Sequence, residues 1–281
     1  MSPRGTVVDD LFLSTAVGTI ESRIYLPRGY ARTDRRYPVL YLLHGRGDSM
    51  ENWLPSTRDW DGLIGSGQVP PFIAVMIDAP WSDRGSWWID SLYAGDDRVP
   101  RGAVVETAIT TEFVGHIDAT FRTLADRRAR VVAGYSMGGA GALRYVTAHP
   151  DVFSRAIVMG AAIYVPVPPS GSSTRSSGAF GVGEVLFDPD RYGELNYPIG
   201  FDHLDIDLPI ALFIIVGDRE WKHPDPADAR HDLDFESAAL FNAASRVPGI
   251  AAELRVLGGG HDWTFWRRAL RLGLLSPITG F

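Results

Sequence analysis

The sequence predicts an α/β fold in which helices cover both faces of a doubly wound, mainly parallel sheet. Continuous apolar runs, typical of strands buried in a parallel sheet, alternate with segments of helical periodicity. Several runs end in glycine-rich turns, the kind of place where such sheets bind ligands. The 281 residues suit one large domain or two small ones, and the unbroken alternation favours a single domain over 1–281.

The predicted strands follow the apolar runs. Residues 11–25 alternate between apolar and polar side chains, as one or two half-buried strands do. Residues 37–43 form a continuous apolar run, which indicates a strand buried on both faces. The same reasoning predicts strands at residues 71–78, 131–133, 153–160, 209–217 and 252–257.

The predicted helices lie between these strands. In residues 105–124, Ile109, Phe113, Ile117 and Phe121 recur on one helical face. Further helices are predicted at residues 141–146, 233–245 and 264–274. The alternation of strand and helix, without internal repeats, predicts one sheet with helices on both faces.

The least regular part of the chain is an insert at residues 164–207. Residues 165–178 are rich in Pro, Ser and Gly, a composition typical of mobile segments. An insert of this kind is either a lid over a site or a tolerated surface insertion. The sequence leaves both interpretations open.

Composition and charge exclude several classes of function. The formal net charge is −7, and no basic stripe is available to displace counterions from nucleic acid. The chain has no cysteine, which excludes disulfides, thiolate nucleophiles and cysteine-ligated metals. The first ten residues lack the apolar segment of a signal peptide, and no apolar run is long enough to span a membrane. We therefore expect a cytoplasmic protein without nucleic-acid or membrane partners.

Residues 131–146 combine a strand, a tight turn and a helix around one serine. The turn is a Gly-x-Ser-x-Gly pattern, and a side chain at Gly134 or Gly138 would crowd the backbone where strand and helix nearly touch. This context indicates a nucleophile elbow that presents the Ser136 hydroxyl at the C-terminal edge of the sheet. The helix behind it offers backbone N–H groups and a positive dipole end to an oxyanion.

Candidate catalytic groups follow four predicted strands, at residues 44–46, Ser136, residues 218–220 and His261. Ligands of doubly wound sheets bind beyond such strand ends, so these groups are expected to meet. The chain order of serine, acid and histidine is that of an α/β-hydrolase.

His261 is the expected base, because a serine hydroxyl is a weak nucleophile until a neighbouring base takes its proton. Three glycines before His261 let the backbone turn the imidazole back toward Ser136. The acid that holds the His261 tautomer is either Glu220 or Asp218. Glu220 is favoured because a side chain that points back over the sheet edge needs a short turn first. The other carboxylate is expected to cap the turn.

Five tryptophans lie near predicted loops, namely Trp81, Trp87, Trp88, Trp221 and Trp263. They suggest an aromatic-walled pocket for an acyl or alcohol group. We take Trp81, Trp88, Trp221 and Trp263 as the expected substrate-binding residues. Core packing explains about half of the five equally well.

Four blocks of sequence resemble the esterase D / antigen 85-like α/β-hydrolases. In order they are LPxGY at 26–30, YPVLYLLHG at 37–45, GYSMGG at 134–139 and GGHDWxxW at 259–266. That group includes feruloyl esterases, enterochelin-esterase-like proteins, S-formylglutathione hydrolases and mycolyltransferases. The resemblance covers about residues 15–275.

The resemblance implies an α/β-hydrolase fold with Ser136 as nucleophile and His261 as base. Members commonly place Asp or Glu three residues after the glycine of the penultimate strand, which matches Glu220. The implied oxyanion donors are the backbone N–H groups of Met137 and Arg46. No metal or organic cofactor is implied.

The chain departs from this family pattern in two ways. The loop at 222–232 is long, and its His223, Asp225 and His231 could be taken for metal ligands. No helical i, i+4 pairing supports that interpretation, so a solvated loop without metal is expected. The S-formylglutathione branch often uses cysteine near its site, so the absence of cysteine ranks that branch low.

The sequence thus predicts a serine hydrolase that cleaves a small-molecule carboxylic ester through an acyl-enzyme on Ser136. One alternative is an acyltransferase that uses the same triad to move the acyl group to an alcohol or sugar. A second is a non-catalytic binding protein on the same fold. The acyl group, the alcohol and the oligomeric state are not predicted.

Overall fold

A mostly parallel sheet runs through the computed structural model of the chain, which describes residues 4–281. The strands in those residues are β1 (Thr6–Ser14), β2 (Gly18–Leu26), β3 (Val39–Leu43), β4 (Ile73–Ile77), β5 (Leu92–Tyr93), β6 (Arg130–Tyr135), β7 (Arg155–Met159), β8 (Val182–Gly183), β9 (Ile210–Arg219) and β10 (Ile250–Gly260). Within the described chain, eight of them form one sheet in the order β1-β2-β4-β3-β6-β7-β9-β10, and β5 pairs with β8.

Helices cover both faces of this sheet. The α-helices are α1 (Thr57–Gly65), α2 (Val105–Thr107), α3 (Val114–Thr120), α4 (Met137–Ala148), α5 (Pro189–Leu195), α6 (Tyr197–Asp202), α7 (Leu233–Ala244) and α8 (Trp263–Leu274). A π-helical segment, Ala108–Phe113, joins α2 to α3. Segments of 3-10 helix lie at Tyr30–Arg32, Met50–Ser56, Ser82–Arg84, Arg127–Ala129, Ser173–Arg175 and Pro226–His231.

The strand order confirms the predicted doubly wound, mainly parallel sheet. Strands β3, β4, β6, β7, β9 and β10 are parallel, and the β1–β2 hairpin adds an antiparallel edge. Strand β4 lies on one side of β3 and β6 on the other, so the chain reverses its winding direction there. A crevice opens beyond the C-terminal ends of β3 and β6, because their following loops diverge at this switch point.

The core forms as two layers, one on each face of the sheet. Alternate residues of β3 belong to different layers: Val39, Tyr41 and Leu43 pack on the face of α4, and Leu40 and Leu42 pack on the other face. The period of two follows from the pleat of a strand. Because helices cover both faces of the sheet, every residue of β3 is buried and the strand is an unbroken apolar run in the sequence.

A buried charge cluster anchors α4, the helix that follows the Ser136 turn. Glu106 is 4% exposed and accepts hydrogen bonds from Arg144 Nε at 3.0 Å and from His149 Nε2 at 2.8 Å. Burial alone would raise the pKa of Glu106, but hydrogen bonds and charges from His149 and Arg144 outweigh it and hold the pKa below its ordinary value. Arg144 lies in α4 and His149 directly follows it. Because both bond to Glu106, the cluster holds the C-terminal half of α4 against α2.

The insert at 164–207 is more ordered than its composition predicts. It contains α5, α6 and buried aromatic side chains, among them Phe180 and Phe201. The Tyr192 hydroxyl accepts from Tyr164 N and donates to Tyr164 O, both at 3.0 Å, so the start of the insert is bonded to α5. This packing could not be predicted from the sequence. The helices of the insert are short and contain Gly and Pro, so their apolar residues show no clear helical period. Helix α1 was not expected at all.

Candidate active site

The turn between β6 and α4 holds Ser136 in an unusual backbone conformation. Its φ is 53° and its ψ is −121°, which costs energy in a residue with a side chain. A Cβ on Gly134 would overlap the carbonyl of Gly138, and a Cβ on Gly138 would overlap the carbonyl of Leu43. The two glycines therefore let the backbone of the elbow close against β6 and β3, as the sequence pattern predicts.

Gly138→Ala should destabilise the protein, because the new methyl group would displace backbone rather than a flexible side chain. We expect the free energy of unfolding in urea to fall by about 3 kcal/mol, the upper part of the range for overpacking. Gly115→Ala in α3 is the matched control, since a Cβ there meets nothing within 4 Å. That variant should gain about 0.5–1 kcal/mol, and equal stability of the two variants would contradict the steric argument.

Ser136 opens into a cavity of about 400 Å³, which we call the site cavity. It is lined by Gly45, Arg46, Asp48, Trp87, Tyr135, Ser136, Met137, Ala162, Tyr164, residues 171–174, Trp221, Leu233, His261 and Trp266. Met137 is the first residue of α4, where a backbone N–H has no intrahelical acceptor. Within residues 4–281 the Arg46 N–H likewise donates to no backbone carbonyl. The two amides expected to bind an oxyanion thus belong to the wall of one cavity.

His44 fixes the loop that carries Arg46. It is fully buried, and its Nε2 accepts a hydrogen bond from Ala79 N at 2.9 Å. Nδ1 therefore carries the proton and donates to the Gly45 carbonyl at 2.7 Å. Burial lowers the pKa of His44, so the ring is neutral. His44 thus shapes the loop and is not available as a base.

His261 and Glu220 form a short hydrogen bond at the edge of the site cavity. His261 Nδ1 lies 2.6 Å from Glu220 Oε2, and the Glu220 side chain is only 1% exposed. Glu220 Oε1 accepts a second bond from Gly217 N at 3.2 Å, which orients the carboxylate. With Nδ1–H directed to Glu220, Nε2 of His261 is the nitrogen left to accept a proton.

Ser136 and His261 line the same cavity. Within the described residues, the Ser136 hydroxyl makes no hydrogen bond with the His261 ring. Hydrogen bonds between catalytic groups are often long in unliganded enzymes and shorten when substrate binds. The arrangement therefore places both groups at one site, where bound substrate would bring them together.

Asp218, the alternative acid, has a different position. Its Oδ1 accepts a hydrogen bond from Gly259 N at 3.0 Å, and its side chain is 55% exposed. It thereby ties the end of β9 to the glycine-rich end of β10, just before His261. The structure thus places Glu220 against His261 and Asp218 against the backbone of β10.

The four tryptophans expected to bind substrate occupy different environments. Trp221 lies at the cavity wall and is 43% exposed. Trp81 is not part of that wall, and its indole N–H donates to Arg101 O at 2.7 Å. Trp88 is fully buried and donates to His44 O at 3.2 Å, so it supports the loop from beneath. The structure therefore corrects the expectation for Trp81 and Trp88.

Trp263 is not part of the wall of the site cavity either, whereas Trp266, three residues later, is. Asp262 caps α8 by accepting from Thr264 N and Phe265 N, so the helix begins at Trp263. Trp263 packs edge-on against Trp53, whereas the Trp266 ring packs edge-on against His261 with 4.9 Å between centroids. Trp87, which directly precedes Trp88 in the sequence, belongs to the wall together with Trp221 and Trp266.

The loop at 222–232 contains no recognisable metal centre. His223 Nδ1 accepts from Asp225 N at 3.1 Å, and His231 Nδ1 lies 2.6 Å from Glu236 Oε1. Among residues 4–281, no group of three or more His, Asp or Glu side chains is placed to hold a metal ion.

In the same residues, no helix is long and apolar enough to cross a membrane.

A strand–serine–helix elbow at the switch point of a mostly parallel sheet defines an α/β-hydrolase. The model of the putative esterase family matches residues 15–275. The chain belongs to this family.

Two curated relatives are similar over parts of their length. An endo-1,4-beta-xylanase/feruloyl esterase of Xylanibacter ruminicola is 30% identical over 274 residues, which cover 95% of this chain. Esterase Rv1288 of Mycobacterium tuberculosis is 34% identical over 148 residues, or 52% of this chain. The match covers 30% of the length of each relative, so the chain corresponds to a part of each.

Solved structures resemble the chain over nearly its whole length. A ferulic acid esterase has a TM-score of 0.77 and 25% identity, and the match covers 98% of this chain and 97% of that one. An S-formylglutathione hydrolase of Agrobacterium tumefaciens has a TM-score of 0.74 at 15% identity and covers 100% and 98%. The second likeness shows the fold alone.

Proposed function

We propose that the chain is a serine esterase that cleaves carboxylic esters through an acyl-enzyme on Ser136. The observation that carries this proposal is the His261–Glu220 hydrogen bond of 2.6 Å at the edge of the cavity that Ser136 lines. In the first step Ser136 Oγ attacks the ester carbonyl carbon while His261 Nε2 takes the hydroxyl proton. Glu220 stabilises the imidazolium that results.

The tetrahedral intermediate carries a negative charge on the former carbonyl oxygen. The backbone N–H groups of Arg46 and Met137 donate to this oxygen, and the N-terminal end of α4 adds its positive dipole. The intermediate collapses when the C–O bond to the alcohol breaks and His261 gives its proton to the departing oxygen. Water then attacks the acyl-enzyme with His261 as base, which releases the acid and restores the Ser136 hydroxyl.

We propose that the preferred acyl group is aromatic. Aromatic rings of Trp87, Tyr164, Trp221 and Trp266 contribute to the cavity wall, and such rings favour flat apolar ligands. The names of the ferulic acid esterase and of the xylanase/feruloyl esterase support a hydroxycinnamate ester. The alcohol is a small-molecule partner whose identity the cavity does not specify.

The substrate proposal predicts a preference within a panel of methyl esters. We expect kcat/KM for methyl ferulate to exceed that for methyl butyrate by about tenfold or more, because a matched apolar pocket contributes about 1–3 kcal/mol. Initial rates at matched concentrations measure this ratio. Equal or reversed values would reject the aromatic acyl group while leaving ester hydrolysis intact.

The other functions considered are less well supported. The relatives and structures described above carry the names of esterases or hydrolases, so acyl transfer is not needed to explain the site. A purely binding protein has no need of a buried carboxylate that orients a histidine in the wall of a cavity that a strained serine also lines. The cytoplasmic location stays a prediction, which cell fractionation would test.

A further inference from the structure

A second, smaller cavity lies directly behind the site cavity. Its volume is about 30 Å³, which fits one or two water molecules. We call it the inner cavity; it is lined by Trp87, Ile89, Ala140, Leu143, Arg144, Thr147, Ala162, Ile163, Phe180, Tyr192, Leu195, Asn196 and Tyr197. Trp87 and Ala162 belong to the walls of both cavities.

The inner cavity begins immediately behind the nucleophile. Ala140 N and Ala162 N both donate to the Ser136 carbonyl, at 3.1 and 3.0 Å. Both alanines line the inner cavity, and Ala162 lines the site cavity as well. An alanine side chain is too small to separate two cavities by itself. The indole ring of Trp87 is therefore the main barrier between them.

Trp87 shares a positive φ with Trp81 and Trp88 but, in the described part of the chain, lacks the indole hydrogen bond that each of them makes. Its φ is 51°, a strained value for a residue with a side chain, and it is only 3% exposed. Within residues 4–281 its buried indole N–H has no hydrogen-bond partner, whereas the indoles of Trp81 and Trp88 each donate to a carbonyl. No polar contact fixes the Trp87 ring, so packing alone holds it between the cavities.

The position of His261 indicates which part of the substrate meets Trp87. The departing alcohol oxygen has to lie beside His261, because that ring returns its proton. The lining of the inner cavity includes neither His261 nor Glu220. The acyl substituent, which extends away from the alcohol, is therefore the part directed toward Trp87.

We propose that Trp87 sets the upper length of the acyl group by closing the inner cavity. This inference rests on the proposed ester hydrolysis. A short or single-ring acyl group ends against the indole. A linear acyl chain of about eight carbons needs the mostly apolar space beyond it, between α4 and the insert helices α5 and α6.

Trp87→Ala tests this role with p-nitrophenyl acetate and p-nitrophenyl octanoate. The ratio of kcat/KM for octanoate to that for acetate should rise by about tenfold or more over the unmodified protein, since added methylenes then gain apolar contacts. Trp87→Phe should give a smaller rise. Trp81→Ala is the matched control, because Trp81 has a similar strained φ of 70° in the same loop but lines neither cavity.

A double variant identifies the inner cavity as the source of the gain. Thr147 lines the inner cavity but not the site cavity, so Thr147→Leu fills space beyond Trp87. Adding it to Trp87→Ala should remove most of the gain on octanoate. A full gain in the double variant would overturn the proposal.

Two further outcomes separate this inference from the proposed function. An unchanged octanoate-to-acetate ratio in Trp87→Ala, or an equal rise in Trp81→Ala, would overturn the role of Trp87 and leave the esterase intact. Failure of the unmodified protein to hydrolyse any ester would instead reject the proposed function, and this inference with it. Thermal unfolding checks each variant, and Trp87→Phe carries the test if Trp87→Ala does not fold.

Discussion

Replacing Ser136 by alanine should lower kcat/KM for ester hydrolysis by about 10⁴–10⁶, the range found when a triad nucleophile is removed. The loss is large because no acyl-enzyme can form without the hydroxyl. The residual rate would come from the Arg46 and Met137 amides and from substrate binding. Stopped assays with p-nitrophenyl acetate at high protein concentration measure the difference.

A fluorophosphonate probe gives an independent readout of the same prediction. The probe should form a covalent bond to Ser136 in the unmodified protein and none in Ser136→Ala. Ser172→Ala is a suitable control because Ser172 lines the same cavity, while its hydroxyl oxygen accepts from Thr174 N. That variant should keep the label. Absence of label in the unmodified protein, or full turnover by Ser136→Ala, would favour a non-catalytic protein.

The positions of the main strands and of the serine could be predicted from the sequence because both depend on local patterns. Strands such as β3 are buried on both faces, so their composition alone marks them. The elbow needs glycine at residues 134 and 138 for steric reasons that any backbone of this kind imposes. These constraints act over a few residues and therefore remain visible in the chain.

The wall of the cavity was harder to predict because it depends on packing between distant segments. Choosing Trp266 over Trp263 requires the start of α8, which the Asp262 cap fixes. Choosing Trp87 over Trp88 requires the path of a loop with several positive φ values, which no sequence pattern signals. The buried aromatic side chains of the insert likewise became apparent only from their contacts.

Glu220→Gln should lower kcat/KM by about 10⁴, comparable to the change seen when a triad acid becomes an amide. An amide has nearly the shape of the carboxylate, but it has no charge to stabilise the His261 imidazolium. Its NH₂ group would also favour the tautomer in which Nδ1 accepts and Nε2 carries the proton. Ser136 would then face a nitrogen that is unable to take its proton. Steady-state kinetics on p-nitrophenyl acetate give the effect.

Asp218→Asn is the matched control, because it makes the same chemical change two residues earlier. The amide oxygen of Asn can still accept from Gly259 N, the bond that Asp218 makes. We therefore expect less than about a tenfold loss, equivalent to about 1.4 kcal/mol in transition-state stabilisation. If Asp218→Asn were the more damaging change, His261 would have to rotate toward Asp218 during reaction. The charge of the triad would then come from the exposed carboxylate, and the buried one would only shape the turn.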